Sequence, residues 1–215
     1  MKEILKTCAV ALALALVPGL ALAQAPQGST GSEASTPLPP TPPQVEGPYY
    51  PTQKHADRDN DLTRVGDGPT AQGQVLSLSG RLLDQRNNAI PSARIEVWQT
   101  DHRGIYMHPD DSGTANRDRN FQFYGEAVTD EAGRFSFQTI LPGLYGPRPR
   151  HMHVKIVPQD GPGLTTQLYF KGDERLSRDP LVRRLGASIA LLLLDPQPRG
   201  QSELQAQIDF VLRRN

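Results

Sequence analysis

The chain has 215 residues, with 23 Lys and Arg residues against 23 Asp and Glu residues, and a single cysteine, Cys8. This charge balance gives no electrostatic reason to expect binding to nucleic acid or to an anionic membrane surface. Because Cys8 lies in the N-terminal apolar segment, the rest of the chain contains no thiol. Disulfides, zinc–thiolate sites and a cysteine nucleophile are therefore excluded from the folded part.

The first 46 residues have the composition of a signal peptide followed by a linker. A positively charged start precedes an apolar run over 9–20, which ends in the small-residue motif Ala21-Leu22-Ala23. We expect a signal peptide over 1–23 and export to the periplasm or beyond, with no membrane span because the run is too short. Residues 24–46, rich in Pro, Ser, Thr and Gly, predict a flexible tether. The remainder, 47–215, predicts one domain.

Within this domain, short alternating apolar and polar runs predict an all-β fold, a β-sandwich with long loops and one short helix. The predicted strands are 75–83, 93–99, 122–129, 134–140, 151–157, 164–170, 189–194 and 205–212.

Turn and cap residues separate these runs. Asn87-Asn88 and the segment from Asp130 to Gly133 predict hairpins. The single predicted helix starts after Asp179 as N-cap, has Pro180 at its first position and ends at Gly186.

His151-Met152-His153 lies on a predicted strand and is the most specific local feature. Residues two apart on a strand project from the same face, so the two imidazoles can bind one metal ion. The pair alone does not establish a site, because histidine pairs on strands are often solvated. Two loop tyrosines, Tyr106 and Tyr145, add candidate ligands, since loops on a rigid sheet often carry functional residues.

Several blocks of residues together resemble the intradiol ring-cleavage dioxygenases, the family of protocatechuate 3,4-dioxygenase and catechol 1,2-dioxygenase. The resemblance covers most of the domain, in the order of that family. The blocks are Gly47-Pro48-Tyr49-Tyr50-Pro51, Ile95-Glu96-Val97-Trp98-Gln99, Gly104-Ile105-Tyr106-Met107-His108, Thr129-Asp130-Glu131-Ala132-Gly133-Arg134-Phe135-Ser136-Phe137, Pro142-Gly143-Leu144-Tyr145, Arg148-Pro149-Arg150-His151-Met152-His153 and Thr166-Gln167-Leu168-Tyr169-Phe170.

The resemblance implies a mononuclear, non-haem Fe(III) centre whose ligands are Tyr106, Tyr145, His151 and His153. This set agrees with the chemistry of ferric iron, a hard cation that favours anionic oxygen. The implied reaction opens a catechol-type ring between its two hydroxylated carbons with O2 and gives a muconate-type dicarboxylate. Substrate displaces one tyrosine, either Tyr145 or Tyr106.

The resemblance also assigns residues around the iron. Arg148 matches the active-site arginine of the family, where it would stabilise negative charge on the substrate. Gln167 matches a polar pocket position, and Trp98, Gly47 and Pro48 are candidates for lining the substrate pocket. A core role for Trp98 is equally compatible with the sequence. The second cation near the site, Arg150, suggests a preference for acidic substrates.

Two other functions are compatible with parts of the chain. The blocks around 80–93 and 133–145 also resemble a non-enzymatic transthyretin-like or carboxypeptidase-regulatory-like binding module. An Fe(II) enzyme that cleaves outside the hydroxyls would need two histidines and a carboxylate, which the tyrosine-rich set disfavours. Members of the intradiol family usually associate, so the resemblance implies a homo-oligomer.

Overall fold

The computed structural model describes residues 36–214, so the predicted signal peptide and the tether residues up to 35 lie outside the described part. The described residues form ten strands and one α-helix. They are β1 (Val75–Asp84), β2 (Arg94–Trp98), β3 (Tyr124–Val128), β4 (Arg134–Ile140), β5 (His151–Val157), β6 (Leu164–Phe170), α1 (Pro180–Leu185), β7 (Leu193–Leu194), β8 (Gln197–Arg199), β9 (Glu203–Gln207) and β10 (Phe210–Leu212).

The strands form two five-stranded sheets. In the first sheet, β1 pairs antiparallel with β4 and parallel with β9 and β10, and β8 extends it beyond β9. The second sheet has the order β3-β2-β5-β6-β7. Leu76 and Phe137 of the first sheet and Val97 and Val154 of the second belong to one buried apolar core. The predicted all-β sandwich with one short helix is therefore confirmed.

Three predicted strands have the same first and last residues as strands of the structure. Predicted strands 134–140, 151–157 and 164–170 coincide with β4, β5 and β6. In β4, Phe135 and Phe137 are buried while their neighbours are exposed, as a period of two requires. Helix α1 also matches its prediction, since the Asp179 carboxylate accepts hydrogen bonds from the backbone N–H groups of Leu181 and Val182.

Two strand predictions near the C-terminus were wrong, and one strand was not predicted. Most of 189–194 belongs to a 3-10 helix, Gly186–Leu192, because a short apolar run is buried equally well as helix or strand. The predicted strand 205–212 is divided into β9 and β10. The unpredicted strand β8 contains Pro198, which a sheet tolerates at its edge.

Of the two predicted hairpins, the one at Asp130–Gly133 is wrong, and the one at Asn87-Asn88 is limited to a short antiparallel bridge between Leu83 and Ala89. Asp130 Oδ1 accepts the N–H groups of Ala132 and Arg134, and so closes the turn. The strands that flank it nevertheless lie in different sheets, because β3 pairs with β2 and β4 pairs with β1. The turn at Asn87 likewise leads from β1 in one sheet to β2 in the other. Turn chemistry determines a chain reversal but not the partner strand.

The second half of the predicted tether packs on the domain instead of leaving it. The backbone N–H of Leu38 donates a hydrogen bond to the carbonyl of Gln85 at 2.8 Å. The N–H of Thr41 donates to the carbonyl of Val211 in β10, and the N–H of Gln44 to that of Thr165 in β6, both at 2.9 Å. A segment with few large apolar side chains can still be ordered by backbone hydrogen bonds. Backbone groups at sheet edges also need partners, and this segment supplies them.

Within residues 36–214, no helix has both the length and the apolar character needed to cross a bilayer.

Candidate metal centre

The two histidines of β5 lie on the outer face of the second sheet. Met152 and Val154 of β5 point into the core, so His151 and His153 point the other way, under loops that cover this face. Both imidazoles are buried, and their ring centroids are 5.1 Å apart. The period-two spacing thus brings both rings to one place, as the sequence predicted.

Tyr106 completes a cluster of three donor atoms. Its Oη lies 3.1 Å from His151 Nε2 and 3.1 Å from His153 Nε2. His151 Nδ1 donates to the carbonyl of Pro149 at 2.8 Å, which leaves the Nε2 lone pair directed at the cluster. Donor atoms bound to one metal at roughly 2.0–2.2 Å lie roughly 3 Å apart. The arrangement therefore fits a metal ion.

Tyr145 lies beside this cluster and is hydrogen-bonded to Tyr49, which was not among the predicted site residues. The ring centroids of Tyr106 and Tyr145 are 5.3 Å apart, and Tyr145 Oη lies 2.5 Å from the hydroxyl of Tyr49. Tyr49 also packs against Tyr106, with centroids 4.8 Å apart. The sequence signal for Tyr49 is its place directly after Gly47 and Pro48, in a block that resembles the intradiol family.

The donors are held neutral by their surroundings. Burial, aided by the positive charge of Arg148, lowers the pKa of His151 to about 4, and burial lowers the pKa of His153 well below its usual value. Burial raises the pKa of the Tyr106 phenol, and Arg148 offsets only part of that effect. The hydrogen bond to Tyr49, followed by burial, raises the pKa of Tyr145 to about 12. A bound cation is thus required to ionise either phenol at neutral pH.

These depressed histidine pKa values predict a pH-dependent stability for the metal-free protein. His151 stays neutral in the folded state down to about pH 4, whereas it takes up a proton below about pH 6.5 once unfolded. The free energy of unfolding should therefore fall between pH 6.5 and 4, by about 3 kcal/mol from His151 alone. Urea unfolding at stepped pH measures this slope. A variant with His151→Asn and His153→Asn should show a shallower slope, and an unchanged slope would contradict the assignment.

Arg148 is the cation nearest to the donor cluster. Its Nη1 lies 3.2 Å from His151 Nε2 and donates to Gln167 Oε1 at 3.0 Å, while its Nε donates to Asp179 Oδ2 at 2.8 Å. Burial tends to lower the pKa of Arg148, but the bond to Asp179 outweighs it and the pKa is raised. Its positive charge is therefore permanent.

The four residues predicted to contact substrate surround the centre in different ways. Trp98 is buried and stacks on His153 with centroids 4.8 Å apart, and Gln167 is fully buried, with its amide donating to the carbonyl of Val45. A Cβ on Gly47 would lie 3.2 Å from His153 Cε1, while Pro48 is exposed. The structure places Trp98, Gln167 and Gly47 beside His153 or Arg148, and the contact of all four residues with substrate stays a prediction.

Arg150 keeps its positive charge but is hydrogen-bonded within the protein, and its effect on substrate preference stays a prediction. Its guanidinium donates to the carbonyl of Pro142, and its backbone N–H donates to Asp173 Oδ2 at 2.8 Å. The side chain therefore fastens the loop that carries Tyr145.

The loops that carry the two tyrosines touch through their backbones. A Cβ on Gly143 would lie 2.1 Å from the backbone nitrogen of Gly104, and the Gly143 N–H bonds the carbonyl of Asp101 at 2.8 Å. Asp111 Oδ2 accepts the N–H of Tyr106 at 2.9 Å and fixes the other side of its loop. The relative position of Tyr106 and Tyr145 thus depends on close backbone contact.

Replacing Gly143 with alanine should push these loops apart. The clash is with backbone, which cannot move aside alone, so we expect a loss of about 3 kcal/mol in unfolding free energy. Metal binding should weaken as well, because the two phenols separate. Gly146→Ala is the control on the same loop: nothing lies within 4 Å of its added Cβ, so only its positive φ of 52° is strained, at about 1 kcal/mol. Equal effects of the two changes in urea unfolding would contradict this account.

Among residues 36–214, no group of three or more His, Cys, Asp or Glu side chains is placed to hold a metal ion. Any metal at this site must therefore use phenol oxygen together with the two imidazoles. This donor set suits a hard, highly charged cation. The fold and the site together define a β-sandwich protein with a buried tyrosine–histidine cluster whose donor atoms fit a metal ion.

Comparisons with known proteins place the chain more narrowly. A dioxygenase family model matches residues 45–214. The protocatechuate 3,4-dioxygenase beta chain of Burkholderia cepacia is 33% identical over 181 residues, covering 77% of this chain and 76% of that one. The catechol 1,2-dioxygenase of Acinetobacter baylyi is 30% identical over 151 residues, covering 62% of this chain and 47% of that one. The chain thus spans about half the length of this catechol enzyme.

Two solved structures share the fold. The dioxygenase domain of a dioxygenase carbohydrate-binding protein fusion from Streptomyces sp. SirexAA-E has 32% identity and a TM-score of 0.66, covering 82% of this chain and all of that one. The 3-chlorocatechol 1,2-dioxygenase of Rhodococcus opacus has 25% identity and a TM-score of 0.64, with 81% and 72% coverage. The chain belongs to the intradiol ring-cleavage dioxygenases, a family of oxidoreductases. This finding disfavours the binding-module alternative.

Proposed function

We propose that the protein cleaves a catechol-type ring between its two hydroxylated carbons, at a mononuclear non-haem Fe(III) centre. The observation that carries this proposal is the approach of Tyr106 Oη to both histidine Nε2 atoms at 3.1 Å, with Tyr145 adjacent. The residues that would hold the iron are Tyr106, Tyr145, His151 and His153. When bound, ferric iron supplies Lewis-acid and redox chemistry that makes a catecholate reactive toward dioxygen.

Tyr145 is the better candidate for the tyrosine that gives way to substrate. Tyr106 is only 3% exposed and is held by two histidines and by Asp111, whereas Tyr145 is half-buried on a loop. Its hydroxyl also has a second partner in Tyr49. If Tyr145 gave way to substrate, its phenolate oxygen would accept a proton from the catechol and could keep its hydrogen bond to Tyr49.

The positive charge of Arg148 and the burial of the site would stabilise the negative charge of the bound substrate. The substrate becomes an anion once it has given up its protons, and the Arg148 guanidinium already faces the cluster, with Nη1 3.2 Å from His151 Nε2. A fixed cation stabilises negative charge without reorganisation, most strongly where water is excluded. In the overall reaction, the bond between the two hydroxylated carbons breaks and both atoms of O2 enter the product, a muconate-type dicarboxylate.

The test uses the iron-loaded protein and its visible spectrum. We expect a broad tyrosinate-to-Fe(III) band that shifts on anaerobic addition of catechol. With 18O2, the dicarboxylate should carry two labelled oxygen atoms by mass spectrometry. Tyr145→Phe should change the band and reduce turnover. A colourless protein that retains no ferric iron, or a product without label, would refute the proposal.

We also propose export and self-association. Export is supported by the signal-like composition of residues 1–23, and we expect the mature N-terminus at Gln24 in protein recovered outside the cytoplasm. A full-length chain retained in the cytoplasm would refute it. Association into a homo-oligomer is suggested by the family, and light scattering of the mature protein tests it.

A further inference from the structure

The orientation of Arg148 depends on one carboxylate that follows β6. Arg148 is only 22% exposed, and its Nε donates to Asp179 Oδ2 at 2.8 Å. This bond leaves Nη1 facing His151 Nε2 and Gln167 Oε1, and Nη2 lies 3.4 Å from the hydroxyl of Tyr169. Asp179 is the only carboxylate paired with Arg148 among the described residues.

The two carboxylate oxygens of Asp179 accept hydrogen bonds from different partners. Oδ1 accepts the N–H groups of Leu181 and Val182, at 2.8 and 3.2 Å, and so caps helix α1. Capping a helix needs only one oxygen. Oδ2 is turned away from the helix and holds the guanidinium, inside a site where the Asp179 side chain is 3% exposed. The second contact is therefore buried, unlike surface ion pairs that contribute little.

The chain around Asp179 holds the same loop at further points. Arg175 donates to the carbonyls of Gly146 and Arg148 at 3.1 and 3.3 Å, and Asp173 accepts the backbone N–H of Arg150. The 173–179 segment therefore fastens both the backbone and the side chain of the loop between Tyr145 and His151.

We propose that Asp179 is a positioning residue, which couples the N-terminus of α1 to the direction of the Arg148 guanidinium at the metal centre. The proposal rests on the proposed function, because it assigns Asp179 a role through Arg148 in that reaction. It also gives the short helix α1 a function, as the element that fixes the backbone of Asp179.

Asp179→Asn separates the two tasks of the carboxylate. The amide has a single oxygen, so if that oxygen caps α1, the amide NH2 meets the Arg148 Nε–H donor and the contact is lost. Asparagine is as good an N-cap as aspartate, so helix α1 should survive. Arg184→Gly is the matched control: Arg184 is exposed on α1, and glycine weakens the helix without altering Asp179.

Two measurements decide the outcome. The first is the nitrogen-15 NMR signal of the Arg148 Nε–H in the metal-free protein, identified by its loss in Arg148→Lys. The second is kcat/KM for catechol of the iron-loaded full chain. We expect Asp179→Asn to shift the Nε–H signal, to speed its exchange with water and to lower kcat/KM about tenfold. Arg184→Gly should leave both near wild type.

The remaining outcomes distinguish a failure of the positioning role from a failure of the proposed function. A wild-type NMR signal and a wild-type kcat/KM in Asp179→Asn would overturn the positioning role. An equal loss in Arg184→Gly would also overturn it, because helix integrity alone would then explain the effect. If wild-type protein cleaves no catechol while Asp179→Asn still shifts the signal, the proposed function fails and the positioning of Arg148 stands. Should Asp179→Asn misfold, Asp179→Ser keeps a capping hydroxyl and removes the contact to Arg148 in the same way.

Discussion

Replacing His153 with alanine is expected to abolish iron retention and lower catechol cleavage by about 10³-fold or more. His153 Nε2 is one of two imidazole donors within 3.1 Å of Tyr106 Oη, and no other histidine, cysteine or carboxylate cluster in the described residues can substitute for it. Loss of the ligand removes both the metal and the charge that ionises the phenols. Iron content, the visible band and oxygen uptake should fall together.

The control for this change is another histidine. Among the described residues, no hydrogen bond or aromatic contact joins His55 to the donor cluster, so His55→Ala should keep wild-type iron content and colour. His153→Ala also empties a space against Trp98, so its folding must be verified by circular dichroism. A folded His153→Ala protein that keeps stoichiometric iron and its visible band would remove His153 from the ligand set.

Features of the site that depend only on neighbouring residues in the chain were predicted from the sequence. His151 and His153 fall on one face because β-strands have a period of two, and that period is independent of the rest of the fold. Asp179, Pro180 and Gly186 likewise predicted α1, because capping is a local interaction. Tyr106 and Tyr145 were identified as candidate ligands because the motifs that contain them resemble those of the intradiol family.

The contacts that complete the site are not local, and for this reason they were missed. Tyr49 reaches Tyr145 only because the segment before it packs on β6 and β10, which its Pro-rich composition did not indicate. Asp179 was recognised as a cap, but its second oxygen meets Arg148 across 31 positions of the chain. The hairpin prediction at Asp130–Gly133 failed for the same reason, since a turn carries no information about the sheet that the next strand joins.

The second large effect is expected at Arg148, where the prediction separates charge from metal binding. Arg148→Gln should keep iron and the visible band, because the guanidinium is not a ligand, yet kcat should fall by about 10²–10³-fold. The reason is that a developing negative charge on the substrate would face a neutral amide instead of a fixed cation 3.2 Å from His151. Stopped-flow turnover and anaerobic catechol titration distinguish the two effects.

Arg148→Lys refines this prediction, because lysine keeps the charge but cannot reproduce the guanidinium fork. Arg148 uses Nε for Asp179 and Nη1 for Gln167 and the centre at the same time, and a single ammonium cannot reach all three partners. We therefore expect Arg148→Lys to recover only part of the activity lost in Arg148→Gln. Arg81→Lys is the control, since this guanidinium pairs with Asp209 on the other sheet and, within the described part of the chain, contacts neither the centre nor its loops. If Arg148→Gln turned over catechol at the wild-type rate, the negative charge that forms during ring cleavage must be stabilised by the metal and its ligands alone.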